Sequence, residues 1–358
     1  MKIYMIAGEA SGDLHGSNLI RAIRRQSTET DIRCWGGELM QLEGANLIKH
    51  YRDLAFMGFI EVLFNIRTIL RNIDFCKKDI LEYKPDVLVL IDYPGFNLRI
   101  AEWAKQQGIR VVYYISPQIW AWKENRIHKI KRSIDDMCVV LPFEVEFYKK
   151  HNYPVHFVGH PLLDEIAKDS SVNDKEEMIV LLPGSRKQEI TRMLPVMLEA
   201  ADQFPQYKIM IAGAPGQDRS FYEPIIGDHR AELVFGKTYD LLKKARAGMI
   251  TSGTATLEAG LLKLPQVVCY RANKVSYVIA KRLVKIKYIS LVNLILDRPA
   301  VLELIQDDLT SNNITKELKN LLAETDRSHV LQQDYADLYR ALGGEGASER
   351  TAKVVLKT

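Results

Sequence analysis

Four short segments end an apolar run in polar or charged groups set among small residues, and each suits a different piece of chemistry. In Leu88-Val89-Leu90-Ile91-Asp92-Tyr93-Pro94-Gly95-Phe96-Asn97 the carboxylate of Asp92 closes an apolar run that Pro94 stops. A carboxylate beside a sugar hydroxyl can accept its proton as that oxygen attacks an anomeric carbon, which is general-base work; the alternative is a cap on the following helix. In Gly8-Glu9-Ala10-Ser11-Gly12-Asp13-Leu14-His15 the small residues allow a tight turn with N–H groups free at a helix start. Glu9, Ser11, Asp13 and His15 are more polar groups than a plain strand-to-helix turn requires, and no GxGxxG fingerprint is present to support a dehydrogenase. Leu181-Leu182-Pro183-Gly184-Ser185-Arg186-Lys187-Gln188-Glu189-Ile190 presents a guanidinium. An arginine fork matches two phosphate oxygens and stays charged, so Arg186 can stabilise a departing nucleoside diphosphate. A surface arginine is the plainer reading, but a cation at a helix start opposes the macrodipole and argues for a ligand. In Thr251-Ser252-Gly253-Thr254-Ala255-Thr256-Leu257-Glu258-Ala259 a helix start offers N–H groups and hydroxyls to a pyrophosphate, and Glu258, about one turn in, can take both hydroxyls of a ribose. A capping pattern with no ligand fits the same spacing.

The elements that must position these groups follow from the hydrophobic rhythm. Apolar runs near 2–7, 86–91, 110–115 and 136–141 alternate with amphipathic segments, which predicts a parallel sheet flanked by helices. A second series runs through 178–182, 208–212, 248–251 and 266–270. The fold class is therefore α/β with the same architecture used twice, and open parallel sheets bind ligands beyond the carboxyl ends of their strands, where all four segments fall. Lys168-Asp169-Ser170-Ser171-Val172-Asn173-Asp174-Lys175 is polar and without periodicity, so the domain boundary is placed there. That gives domains of 1–168 and 169–342, and a final helix within 343–358 that could pack back on the first domain.

Composition sets the outer bounds. A chain of 358 residues exceeds what one core usually serves, and 47% hydrophobic with 26% charged residues is globular rather than disordered. The 4 cysteines, Cys34, Cys76, Cys138 and Cys269, form no CxxC pair, which argues against zinc and disulfides and for a reducing cytoplasm. A net charge of +4 does not make a nucleic-acid binder. The apolar start Met1–Gly8 is too short for a signal sequence, and no stretch reaches the roughly 18 residues a membrane span needs, so any membrane contact is peripheral.

The segments GEASGDLHG (8–16), FMGFIEV (56–62), IDYPGFN (91–97), YYISPQIWAW (113–122), VGHPL (158–162), LLPGSR (181–186), SGTATLEA (252–259) and SLVNLIL (290–296) resemble, in order, the motif series of the lipid-A-disaccharide synthase family. The resemblance implies the GT-B fold, two Rossmann-like domains facing across a cleft. It also implies an inverting transfer of 2,3-diacylglucosamine from UDP-2,3-diacylglucosamine to 2,3-diacylglucosamine 1-phosphate, lipid X, giving a β-1,6 disaccharide and UDP. The first domain would then bind the acceptor and the second the donor. Carried over by motif, Asp92 is the base for the acceptor's 6-hydroxyl; from the polar groups of the first turn themselves, Glu9 and His15 are further catalytic candidates and Ser11 and Asp13 fall on the acceptor side. Arg186 and Asn293 match donor-binding positions, Ser252, Gly253 and Thr254 would hold the pyrophosphate, and Glu258 would grip the ribose. The family's VPELIQ reads Val301-Leu302-Glu303-Leu304-Ile305-Gln306, with leucine for proline, leaving Glu303 and Gln306 as donor contacts. No Asp-x-Asp motif occurs, so neither a metal nor a cofactor is expected.

A lipid substrate needs an apolar route. Phe56, Met57, Phe59, Val62, Leu63 and Phe64 form a segment apolar on more than one face, followed by Arg67, Arg71, Lys77 and Lys78. This suits a surface that dips into an anionic leaflet or receives acyl chains, against the alternative of a buried helix; the family resemblance implies peripheral contact with the cytoplasmic face of the inner membrane. Lys274–Lys287 is a second such segment, equally readable as a solvated face. The aromatics Tyr113, Tyr114, Trp120 and Trp122 read as core more readily than as a sugar platform. His15 and His160 stay isolated histidines unless the fold perturbs them. Two other functions compete: another GT-B enzyme such as a UDP-N-acetylglucosamine 2-epimerase, and a non-catalytic nucleotide-sugar or lipid carrier. Monomer and homodimer both remain open.

Overall fold

The computed structural model describes residues 1–54, 66–168, 174–273, 287–323 and 326–358. The apolar segment 56–64, the basic segment 274–286 and most of the polar stretch at the expected boundary lie outside the described residues. The chain forms two compact units, Met1–Asp164 with Leu342–Thr358, and Glu165–Ala341.

The first unit holds a sheet of β1 (Lys2–Ala7), β2 (Asp31–Gly36), β3 (Asn46–His50), β4 (Val87–Ile91), β5 (Arg110–Tyr114), β6 (Asp136–Val139) and β7 (His156–Phe157). Its order is β3-β2-β1-β4-β5-β6-β7, and neighbouring strands run parallel. β4 is buried at every position, as an apolar strand covered by helices on both faces must be. The second unit repeats the plan with β8 (Met178–Leu182), β9 (Lys208–Gly213), β10 (Ala231–Phe235), β11 (Ala247–Thr251), β12 (Gln266–Tyr270) and β13 (Leu302–Ile305), in the order β10-β9-β8-β11-β12-β13.

The strands expected from apolar runs are all present, and those the runs did not announce are β2, β3, β7, β10 and β13. β3, β10 and β13 include exposed or half-buried residues such as Asn46, Glu232 and Leu302, so water reaches part of their surface and their sequences lack a continuous apolar run. Leu302 opens an edge strand, a place where proline and leucine are both tolerated.

The last helix, Ala347–Leu356, packs on helix Ala10–Gln26 within the first unit. Gln26 Nε2 donates to the Glu349 carbonyl, Asp164 accepts from the N–H groups of Gly346 and Ser348, and Arg110 donates to the carbonyls of Val354 and Val355. Arg110 thereby satisfies carbonyls that the helix end leaves without intrahelical partners.

Candidate active site

In each sheet the order reverses direction once, between β1 and β4 in the first unit and between β8 and β11 in the second. Connections leave the sheet in opposite directions there, so a crevice opens at the carboxyl ends of those strands. The four chemically promising segments follow these four strands.

In the first unit the backbone turns sharply after β4. Asp92 and Tyr93 both have positive φ, at 46° and 49°. Aspartate tolerates that region better than most residues, while a tyrosine there carries strain. Neighbours hold the conformation: Asn97 Nδ2 donates to the carbonyls of Asp92 at 2.8 Å and Ile91 at 3.2 Å, Tyr113 Oη donates to the Asp92 carbonyl at 2.5 Å, and the Asp92 N–H donates to Tyr114 O at 3.0 Å. Pro94 then opens helix Pro94–Gln106, where a missing N–H costs nothing. The Tyr93 ring fills the space where a Cβ on Gly8 would stand, so the glycine that opens the first motif is required by the second.

Asp92 lines a cavity of about 250 Å³ together with Ser116, Gln118, Trp122, Lys123 and Arg126. Ile115 on its wall has φ 63°, an unfavourable state for a β-branched residue. Burial pushes the Asp92 carboxyl up to about 6, and the neighbouring Glu9 carboxylate adds to the rise against a hydrogen bond from the Tyr93 backbone. Asp92 is thus a stronger base than an ordinary aspartate and is still ionised at neutral pH.

Other first-unit candidates fall differently. Glu9 and Ser11 are exposed at the turn. Asp13 is 2% exposed, and its oxygens accept from the N–H groups of Gly37 at 2.8 Å, Leu39 at 3.1 Å and Met40 at 3.1 Å. The expectation of a substrate-facing Asp13 is corrected on this point: its carboxylate caps the short helix Glu38–Leu42. His15 lies close enough to His160 to help burial push the His160 imidazole down to about 3, and His160 Nδ1 accepts from the Leu162 N–H. Tyr113 and Tyr114 are fully buried, whereas Trp122 is 56% exposed. Glu144, in helix Pro142–Lys150, is buried and accepts from Ser116 Oγ, Trp120 Nε1 and two backbone N–H groups, and burial raises it to about 7. It braces the Ser116 side of the Asp92 cavity.

The second unit carries a larger cavity of about 490 Å³, lined by Arg186, Ser252, Gly253, Thr254 and Glu258 among others. Gly184 has φ 117°, and a Cβ there would lie 2.7 Å from the Glu189 side chain. That space lets Glu189 fold back and accept from the N–H groups of Ser185 and Arg186, at 3.1 and 3.2 Å. The anion-binding capacity of this helix start, Lys187–Ala201, is partly consumed by its own glutamate, which leaves Arg186 as the charge offered to a ligand. Its side chain is 73% exposed, with Glu189 at 3.6 Å, a pairing of little strength.

Opposite stands helix Thr254–Leu261, which no side chain caps. Gly253 precedes it at φ 149°, with nothing near where a Cβ would stand, so N–H groups face open space. The Ser252 hydroxyl donates to the Ile289 carbonyl at 2.8 Å, so any contact it makes with a ligand is as an acceptor or through its backbone. Glu258 is raised by burial, and Tyr239 Oη donates to it at 3.2 Å.

Asn293, Glu303 and Gln306 hold this loop region together. Glu303 accepts from the Ile289 and Ser290 N–H groups, Ser290 Oγ and Asn293 Nδ2, at 2.7 to 3.0 Å. Asn293 is 1% exposed and also exchanges hydrogen bonds with the Val301 backbone. Gln306 Oε1 accepts from the Ala272 N–H, and its carbonyl accepts from Arg271. The expectation of direct donor contacts from Asn293 and Glu303 is therefore revised to positioning of segment 287–293, because their polar atoms are spent internally. The sequence reading missed Ser116, Lys123, Arg126 and Glu144; the signal was the YYISPQIWAW motif, which runs straight into a cationic turn.

Two parallel sheets, each with one switch point and helices between its strands, make two Rossmann-like units, the plan of the GT-B class. Solved structures share the fold: a UDP-GlcNAc 2-epimerase from Neisseria meningitidis bound to UDP-GlcNAc aligns over 100% of both chains with TM-score 0.67 and 15% identity. The glycotransferase of kitacinnamycin aligns over 99% of this chain and 98% of its own with TM-score 0.67 and 15% identity. The family model for Lipid-A-disaccharide synthetase matches residues 3–358. The lipid-A-disaccharide synthases of Syntrophus aciditrophicus and Geobacter metallireducens are 38% and 36% identical, each over 99% of this chain and 97% of its own length. The chain belongs to the lipid-A-disaccharide synthase family, and it is a glycosyltransferase of lipid A disaccharide formation. The epimerase reading is not favoured, since likeness to epimerases at 15% identity carries the fold alone.

Proposed function

We propose that the chain transfers 2,3-diacylglucosamine from UDP-2,3-diacylglucosamine to the 6-hydroxyl of 2,3-diacylglucosamine 1-phosphate, with Asp92 as general base. The observation that carries this reading is Asp92 itself: a half-buried carboxylate that desolvation raises to about 6, at the switch point of the first sheet and on the wall of a cavity. The acceptor's hydroxyl gives its proton to Asp92 while the oxygen attacks the anomeric carbon from the face opposite the departing UDP, which inverts that centre. Glu9, the neighbouring carboxylate, keeps the Asp92 carboxyl basic. His15 stays a candidate beside His160.

On the donor side, Arg186 and the uncapped N–H groups of helix Thr254–Leu261, with Ser252 and Gly253 leading into it, take the pyrophosphate, and Glu258 takes the ribose hydroxyls. The charge that develops on UDP is met by these groups, so transfer proceeds without a divalent metal. The chain works at the cytoplasmic face of the inner membrane as a peripheral protein. No described helix is long and apolar enough to cross a membrane. Helix Ile66–Tyr83, which follows the apolar segment 56–64, carries Leu70, Phe75 and Leu81 about half exposed amid Arg67, Arg71 and Lys78, as a surface resting on an anionic leaflet requires.

The test is UDP release from the purified full chain in detergent, with the donor alone and with the acceptor added, in the presence of EDTA. Acceptor-dependent release that persists in EDTA is expected. No acceptor-dependent release from folded protein refutes the assignment, and loss of release only in EDTA refutes the metal-free step.

A further inference from the structure

We propose that Lys123 and Arg126 form a subsite for a phosphate monoester in the Asp92 cavity, the subsite that receives the phosphate of the sugar acceptor. The inference rests on the reading of that cavity as the acceptor site.

Lys123 and Arg126 face the same small space because Glu124–Arg126 is a single tight turn, in which the Arg126 N–H donates to the Lys123 carbonyl at 2.9 Å. Both are half-buried, and no described carboxylate lies within ion-pair distance of either. The other half-buried arginines of the first unit all have partners: Arg33 meets Asp79 at 2.7 Å, Arg110 meets Asp136 at 2.7 Å, Arg21 meets Glu43, and Arg24 and Arg350 donate to backbone carbonyls. Glu124, the carboxylate between the two cations in sequence, pairs instead with His151 at 3.2 Å. Neither cation serves to neutralise Asp92, whose carboxyl is pushed up rather than down by its surroundings.

Folding therefore brings two like charges together in a cavity and leaves them without a counter-charge. Burial and the Arg126 charge together lower the Lys123 ammonium, the electrostatic sign of that unbalanced arrangement. An anionic ligand supplies what is missing. The Lys123 Nζ stands 3.8 Å from the centre of the Trp122 ring, which holds the ammonium in place and reduces the entropy lost when it grips an oxygen. Arginine offers a planar fork and lysine a compact charge, so together they can engage several oxygens of a phosphate dianion, and the dianion's charge matches theirs. At about 250 Å³ the cavity suits a phosphorylated sugar head, not a diacylated lipid in full.

The test compares the full chain with Lys123→Ala and Arg126→Ala variants in detergent, using 2,3-diacylglucosamine 1-phosphate and its dephosphorylated counterpart as alternative acceptors. Each substitution is expected to raise KM for the phosphorylated acceptor about 10- to 100-fold, leave KM for the UDP-sugar unchanged, and shrink the preference for the phosphorylated acceptor by the same factor. Arg126→Lys should recover part of that preference. A preference untouched by the substitutions, or an equal loss on both acceptors, overturns the subsite. If the wild-type chain shows no acceptor-dependent transfer at all, the functional reading fails, and ³¹P line broadening of glucosamine 1-phosphate decides the subsite separately. Broadening by the wild type that the Lys123→Ala/Arg126→Ala double variant abolishes supports it; equal broadening, or none by the wild type, overturns it.

Discussion

Asp92 combines three properties that a residue chosen for packing alone would not need: a left-handed backbone, partial burial, and a carboxylate neighbour in Glu9. If it is the base, Asp92→Asn keeps the turn, because asparagine also tolerates positive φ, and removes the proton acceptor. The expected result is a fall in kcat of about 10²- to 10⁴-fold with KM for the donor unchanged, read by UDP release. In the wild type, log kcat/KM should climb with a slope near one up to about pH 6 and flatten above it, as Asp92 loses its proton. Stability runs the other way. The folded carboxyl holds its proton to a higher pH than the ordinary value of 3.8, so the folded state loses stability as pH rises from about 4 to about 6 and the full cost stands above that. Asp92→Asn should therefore be more stable than the wild type at pH 8, by an amount on the order of 3 kcal/mol, and of similar stability at pH 3, as denaturant titration would measure. A variant as active as the wild type would return Asp92 to a capping role.

Among the elements, helix Ile66–Tyr83 has the clearest division of labour. Ile73, Cys76 and Ile80 are buried in the core of the first unit, while Leu70 and Leu81 face outward at 50% and 48% exposure. If that outward face meets the membrane, Leu70→Glu should cut partition onto anionic vesicles about tenfold, since burying a leucine is worth about 1.5–3 kcal/mol, with the melting temperature little changed. Unchanged partition would assign this face to solvent. That an amphipathic segment lies ahead of β4 was legible from the hydrophobic rhythm, although which of its residues are buried was not read. The donor-side elements were less so: Glu303 was readable as a polar residue near the site, but not as the acceptor of several hydrogen bonds that fix segment 287–293. Those partners lie 10 to 14 residues before Glu303, beyond the reach of a local sequence pattern.

At the scale of the molecule, the first unit is not continuous in sequence: its last helix comes from the end of the chain, after the whole of the second unit. Ala347, Thr351, Ala352 and Val355 are buried in that contact, and the ends of the helix are held by Asp164 and Arg110. Ending the chain at residue 345 should lower the stability of the first unit by several kcal/mol, seen as faster hydrogen exchange in helix Ala10–Gln26, while exchange in β8, β9 and β11 stays as it was. Equal acceleration in both units would show that they do not unfold separately. The sequence by itself determined the doubled α/β plan, because an apolar strand run and an amphipathic helix each report their own burial locally. It also determined the family, and it pointed to Asp92, Arg186 and Glu258, because each follows an apolar run that must end at a crevice. Only the tertiary structure decided that Asp13, Asn293 and Glu303 spend their polar atoms inside the protein, and that Lys123 and Arg126 stand without a counter-charge. Whether a polar group faces a ligand or a neighbour depends on partners supplied by distant parts of the chain, which local sequence does not contain.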